Sequence, residues 1–193
     1  MSEAGTPLHG AVLLAGGASR RLGFAKQLIE IDGEPLLRRV ARALLATSPL
    51  DCVVVLGHEA ERMRAALDGL AVRSIVAEQH ALGMSASLAS GIDALDARCQ
   101  AALVALTDQP ALDAAHLIAL RDAWRGAPDH AIASAYADTR GVPAMLPRAW
   151  FAEVARLRGD VGARDLLRAS DRAIVAIAAS ALEHDLDRPQ DLQ

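Results

Sequence analysis

Aromatic residues make up only 3% of this 193-residue chain, and it has just two cysteines, Cys52 and Cys99. With no CxxC pair and no nearby histidine partner, the cysteines imply neither a zinc site nor a disulfide framework, and a reduced, cytoplasmic setting fits them best. None of the six histidines stands at metal-ligand spacing from another, and no nucleophile elbow marks a Ser-His-Asp or Cys-His site. Zinc-enzyme and hydrolase chemistries therefore rank low. A basic excess is missing too: the formal net charge is −4, without the cationic footprint that binding a nucleic-acid backbone requires. A phosphate pocket can still be locally positive. No uncharged stretch, Ala173 to Leu182 among them, approaches a bilayer span. Met1 to Leu8 lack the basic start and apolar core of an export signal, so neither secretion nor a membrane anchor is expected.

What is present is an apolar fraction of 52%, rich in Ala, Leu and Val, in a chain of the usual domain size. One compact domain over residues 1–193 is expected. Gly10 to Ala15 reads as a buried first strand breaking into a glycine loop. After Pro35, the apolar Leu36, Leu37, Val40, Ala41 and Leu44 recur at helical spacing, with Arg38, Arg39 and Arg42 on the other face. Strands then follow at Asp51 to Gly57, Val72 to Ala77 and Ala101 to Thr107, alternating with helices at Glu59 to Leu67, Ser85 to Leu95 and Asp113 to Trp124. This rhythm implies an α/β fold with a doubly wound, mostly parallel sheet and helices on both faces. From Ala131 the pattern loosens into a strand through Tyr136 and a turn at Asp138 to Gly141. Pro143 and Pro147 should then interrupt any long element, and an antiparallel excursion fits there. Trp150 to Leu157 and Asp165 to Ala169 read as helices, and Ala173 to Ala178 as a last strand.

The segment LLAGGASRRLGFAKQL, Leu13 to Leu28, contains the glycine-rich loop from Leu14 to Lys26 that carries the chemistry. Gly16 and Gly17 fall where a parallel sheet exposes its carboxyl edge, which is where such sheets bind ligands. Glycine lets several backbone N–H groups converge on one anion, and Ser19, Arg21 and Lys26 can add side-chain donors. A triphosphate is the natural match. The segment is neither GxGxxG nor a Walker loop, which ends in GKS or GKT, so the common dinucleotide and P-loop arrangements do not apply.

On these residues the chain resembles the MobA-like nucleotidyltransferases, whose signature is LAxGxSxRMGxxK. Leu22 stands here in place of the Met. The resemblance implies a Rossmann-like sheet of the nucleotide-diphospho-sugar-transferase type. It also implies nucleotide contacts from Leu14, Ala15, Gly16, Gly17, Ser19, Arg21 and Lys26. Further motifs in family order make the chain most similar to the molybdenum cofactor cytidylyltransferase branch. Thr107-Asp108-Gln109-Pro110 ends a strand at the same sheet edge, and the resemblance makes Asp108 a Mg²⁺ ligand, although an Asp there also serves as a turn residue or helix cap. The closing HDLDRPQDL, with Arg188 in place of a Thr, offers Asp187 as second ligand and Asp185 as the alternative. In similar enzymes the GMxxSL segment lies against the base, which brings in Gly83, Met84 and Ser87. Ser85 also reads as a simple helix cap. Gly159 to Arg164 resemble the GDxGAR motif, with Asp160 and Arg164 on the acceptor side.

Two positions depart from that branch. Val142 replaces the His of a Gly-His-Pro, and the loop reads LAGG, as in guanylyltransferases, where cytidylyltransferases read LAAG. CTP and GTP both stay open as the triphosphate. The activity implied is transfer of CMP or GMP to a phosphorylated acceptor, molybdopterin by resemblance, with Lys26, Arg21 and Asp108 as the catalytic set. Alternatives are a different phosphorylated acceptor such as a sugar phosphate, and an accessory protein delivering cofactor to a molybdenum hydroxylase apoenzyme. Related proteins are also oxidoreductases using a nicotinamide cofactor.

Overall fold

The structure is a computed structural model and describes residues 6–17, 25–77, 83–137, 139–169 and 174–183. In chain order its elements are β1 (His9–Ala15), β2 (Glu30–Ile31), β3 (Glu34–Pro35), α1 (Leu36–Leu45), β4 (Asp51–Leu56), α2 (Ala60–Ala66), β5 (Arg73–Val76), α3 (Met84–Asp93), β6 (Ala101–Leu106), α4 (Ala114–Gly126), β7 (Ala131–Tyr136), β8 (Thr139–Pro147), α5 (Phe151–Val154), α6 (Ala163–Ala169) and β9 (Ile174–Ala178). Seven strands form one sheet in the order β5-β4-β1-β6-β8-β7-β9. β1 lies parallel to both β4 and β6, whereas β8 runs antiparallel to β6 and to β7.

Period-two burial explains why the central strands are apolar on both sides. Ala11, Leu13 and Ala15 of β1 face a core closed by Leu36, Leu37 and Val40 of α1, Met63 of α2, and Leu117, Leu120 and Trp124 of α4. Val12 and Leu14 face the opposite core, closed by Leu88 and Ile92 of α3, Val154 of α5 and Leu167 of α6. The sheet is therefore covered on both faces, as the alternating pattern implies. The chain winds outward from β1 through β4 to β5, then returns to the other side of β1 at β6. The strand order thus switches between β1 and β6, and a crevice opens beyond their carboxyl ends, where open α/β sheets take ligands.

Two features differ from the sequence expectation. Pro143 and Pro147 do not stop the element: β8 is a nine-residue strand. Its ladder with β7 jumps from Ala133↔Ala144 to Ser134↔Gly141, so Val142 and Pro143 sit in a bulge where proline forfeits no ladder bond. The helix expected over Trp150 to Leu157 shrinks to a single turn, α5, behind a 3-10 turn at Arg148–Trp150. A small hairpin also precedes α1: Asp32 and Gly33, both at positive φ (54° and 78°), make the tight turn joining β2 and β3.

His9, at the start of β1, is buried with its Nε2 3.0 Å from the Thr47 hydroxyl, and its ring stands edge-on to Trp124. Burial, reinforced by the positive charges of Arg125 and Arg121, lowers its pKa from 6.5 to about 4. The native protein therefore holds the neutral imidazole, while the unfolded chain takes up a proton as pH falls below 6.5. Stability from this residue is complete above pH 6.5 and declines as pH falls toward 4, by roughly 3 kcal/mol in all. Urea unfolding followed between pH 7 and 4.5 is expected to show this slope, and His9→Gln is expected to flatten it.

Candidate active site

β1 delivers Gly16 and Gly17 to the crevice, and β6 delivers Asp108 on its other side. Between them a 3-10 turn, Lys26–Leu28, presents Lys26. The Lys26 Nζ donates to Asp108 Oδ2 at 3.0 Å, and the two side chains are 13% and 20% exposed. Asp108 Oδ1 is buried and has no hydrogen-bond partner among the described residues. Two residues 82 positions apart in sequence thus meet at the switch point of the sheet.

The donor set suits a hard divalent cation. Such ions bind through one or two carboxylates and keep their other positions for water and phosphate oxygens, and an orphaned buried carboxylate oxygen is what such a ligand requires. No group of three or more His, Cys, Asp or Glu able to hold a metal occurs among the described residues. A zinc-type cage is therefore not formed by them. The expected second ligand, Asp187, and its alternative Asp185 lie outside the described residues, as do Ser19 and Arg21.

The glycine loop is held by a residue that sequence reasoning passed over. Gln27 is 1% exposed, and its Nε2 donates to Ala15 O at 3.1 Å and Gly17 O at 2.9 Å. A buried side chain thus pins the carbonyls on either side of Gly16. The side chains of Leu14 and Ala15 are buried in the two opposite cores, so neither side chain reaches a ligand. Gly57, at the end of β4, was also missed: a Cβ there would sit 2.5 Å from Gly16 O and 2.8 Å from Gly16 Cα. The backbone after β4 runs hard against the loop. A signal existed for each, a glutamine directly after the lysine and a glycine directly after an apolar run, but neither spacing says what it touches.

The two remaining motifs are welded to each other. Gly83 precedes α3 with φ 105° and ψ 179°, and a Cβ on it would lie 2.4 Å from Gly159 C and O and 2.7 Å from Asp160 Oδ1. Ser85 does not cap α3 with its side chain. Its hydroxyl donates to Gly159 O at 2.8 Å and its N–H to the same oxygen at 3.2 Å. Met84 is exposed and its Sδ lies 2.7 Å from where a Cβ on Gly162 would stand, while the buried Ser87 Oγ lies 3.5 Å from the same point on Gly16. Asp160 does not cap α6 either: Asp165 reaches back to the Gly162 N–H at 3.0 Å.

Arg164, on α6, donates through Nη2 to Tyr136 Oη at 3.5 Å, and Tyr136 Oη donates to Val142 O at 2.8 Å. Gln109 is buried, and its Nε2 sits 3.3 Å from Tyr136 Oη, 3.4 Å from Val142 O and 3.3 Å from Leu182 O. Gln109 and Tyr136 therefore link the Asp108 segment to the β7–β8 hairpin and to Arg164. Val142, where the resembling branch has a His, is buried in the α3-side core.

A glycine loop braced from behind, a lysine, and a carboxylate with one open oxygen, all at the switch point of a doubly wound sheet, define a nucleotide-binding transferase domain. The chain belongs to the MobA-like NTP transferase family, whose domain it matches over residues 11–174. It is 32% identical over 177 residues to the nicotine blue oxidoreductase of Paenarthrobacter nicotinovorans, covering 87% of this chain and 85% of that protein. It is 36% identical over 140 residues to the bifunctional protein GlmU of Sorangium cellulosum, which is 69% of this chain but 29% of that protein. It is also 36% identical over 103 residues, 53% of this chain and 50% of the relative, to a probable molybdenum cofactor guanylyltransferase of Natronomonas pharaonis. Among solved structures, Rv0371c from Mycobacterium tuberculosis H37Rv superimposes with a TM-score of 0.85 at 26% identity, covering 97% of this chain and 96% of that one. A manganese complex of the same protein gives a TM-score of 0.79 at 25% identity, with the same coverage. No helix among the described residues is long and apolar enough to cross a membrane.

Gln27→Ala removes the donor that satisfies two loop carbonyls, at a cost of about 1–3 kcal/mol for each acceptor left buried. Both Gln27→Ala and Gly57→Ala are expected to weaken nucleoside triphosphate binding at least tenfold while the circular dichroism spectrum stays native, as read by equilibrium titration.

Proposed function

We propose that this protein transfers a nucleoside monophosphate from CTP or GTP to a phosphorylated acceptor, molybdopterin, with release of pyrophosphate. The observation that carries this reading is the Lys26–Asp108 pair with its open carboxylate oxygen beside the Gly16-Gly17 loop. An oxygen of the acceptor phosphate attacks the α-phosphorus, the bond from that phosphorus to the β-phosphate oxygen breaks, and pyrophosphate leaves. The nucleophile is already an anion, so the protein's work is positioning and charge neutralisation. Lys26 exchanges Asp108 for triphosphate oxygens as the nucleotide enters and, with Arg21, holds the charge that develops on the leaving group. The Gly16 and Gly17 amides cradle the phosphates, Ser19 adds a hydroxyl, and Gly83, Met84 and Ser87 border the base. Asp160 and Arg164 serve the acceptor. Mg²⁺, held by Asp108 and Asp187 or Asp185, supplies charge neutralisation at the α-phosphate when bound.

What supports molybdopterin is the order of the four motifs and the relatedness to a probable molybdenum cofactor guanylyltransferase. The choice of acceptor is read by pyrophosphate release with molybdopterin set against a sugar phosphate. A second reading is favoured by the match to nicotine blue oxidoreductase over most of both chains. In it the crevice holds a nicotinamide dinucleotide, or a cofactor destined for a molybdenum hydroxylase, and no nucleotidyl transfer occurs. Oxidation of NADH or NADPH without pyrophosphate release would select that reading.

Under the transfer reading, Lys26→Ala and Asp108→Ala are each expected to lower pyrophosphate release from CTP or GTP by at least about 100-fold without loss of the fold. Turnover kept in either variant would remove that residue from the catalytic set.

A further inference from the structure

A second cationic pocket lies at the same carboxyl edge of the sheet, away from the Lys26–Asp108 pair. Its volume is about 660 Å³, and it is an open concavity lined by residues of the β7–β8 hairpin, α6 and β9. Its polar lining comes from Arg140, Arg168, Thr139 and Ser180, over a floor that includes Ala135 and Ala178. None of the described residues that line it is a carboxylate. The Arg168 Nε donates to Thr139 Oγ1 at 2.8 Å, which fixes the guanidinium across the pocket and leaves its two Nη groups without partners among the described residues. The Arg140 guanidinium has no hydrogen-bond or ion-pair partner there at all.

In a chain of net charge −4, two arginines that line one concavity and have no carboxylate partner among the described residues focus positive potential into it. Their planar donor forks match oxyanions. The volume exceeds the need of a lone phosphate and falls in the range of sites for small organic ligands. The alanine floor keeps that volume open and gives the body of such a ligand an apolar surface.

The sheet order sets the distance to the candidate active site. β7 lies two strands from β6, and β9 three, and strands stand about 4.8 Å apart, so the pocket is about 10–14 Å from the end of β6. Both β7 and β9 point their carboxyl ends the same way as β6. We propose that this pocket seats a second anionic group of the acceptor, one carried about 10–14 Å from the phosphate that receives the nucleotide. This rests on the nucleotidyl-transfer reading for the word acceptor, though the anion site stands on its own residues. It assigns Arg140 and Arg168 to binding and requires of the acceptor two anionic ends joined by a body of small-molecule size.

The test has two arms. In the first, inorganic phosphate is titrated by calorimetry into protein saturated with Mg²⁺ and the α,β-methylene analogue of CTP or GTP. Binding is expected in the wild type and in Lys26→Ala, weakened at least tenfold in the Arg140→Ala/Arg168→Ala double variant, and retained within a few fold in Arg140→Lys/Arg168→Lys. No binding to the wild type, or binding lost in Lys26→Ala and kept in the alanine double variant, overturns the pocket. The second arm compares KM values in pyrophosphate release: the alanine double variant is expected to raise the KM for molybdopterin at least tenfold and leave that for the triphosphate unchanged. An unchanged acceptor KM overturns the acceptor assignment. Absence of pyrophosphate release from the wild type, with the phosphate titration as expected, sinks the transfer reading instead and leaves the anion pocket in place.

Discussion

The site depends on the contact between Lys26 and Asp108 across the crevice where the strand order reverses. Each residue arrives at the end of its own segment, Lys26 from the loop after β1 and Asp108 from the end of β6, and neither is in the core. Their pairing neutralises two part-buried charges whose separate desolvation would be costly, while leaving one carboxylate oxygen without a partner among the described residues. Under the proposed function, the same pair exchanges partners when a polyanion and a cation enter together.

Behind that pair stands bracing of a different kind. Gln27 ties down the loop carbonyls, Gly57 permits the backbone after β4 to touch Gly16, and Ser85 binds the start of α3 to Gly159. Gln109 and Tyr136 continue the chain of contacts to Arg164. The glycine loop, the Asp108 segment and Arg164 consequently lie along one carboxyl edge, which runs on to the Arg140–Arg168 pocket.

Much of this was legible in the sequence. The apolar runs of β1, β4 and β6 and the amphipathic spacing after Pro35 yield the doubly wound sheet, because burial on both faces leaves no other use for such strands. Lys26, Gly16, Gly17 and Asp108 stood out as parts of one motif set, since taken alone an Asp after a strand also serves as a turn residue or helix cap. Gln27, Gly57 and Tyr136 did not, since their roles arise from tertiary proximity: a glutamine is a clamp only once two carbonyls face it. Pro143 misled for a related reason. Its local meaning is to break a strand, and only the pairing with β7 shows that it falls in a bulge. Arg140 and Arg168, 28 residues apart by number, become neighbours only through the packing of α6 against the hairpin.

The most direct measurement is calorimetric titration of CTP and of GTP, with and without a divalent cation, into the wild type and Asp108→Asn. If Asp108 and Lys26 form a metal–triphosphate site, one of the two nucleotides binds the wild type tightly only when Mg²⁺ or Mn²⁺ is present, and that dependence disappears in Asp108→Asn. Binding of equal strength with and without the cation, or an unchanged cation dependence in Asp108→Asn, would contradict it.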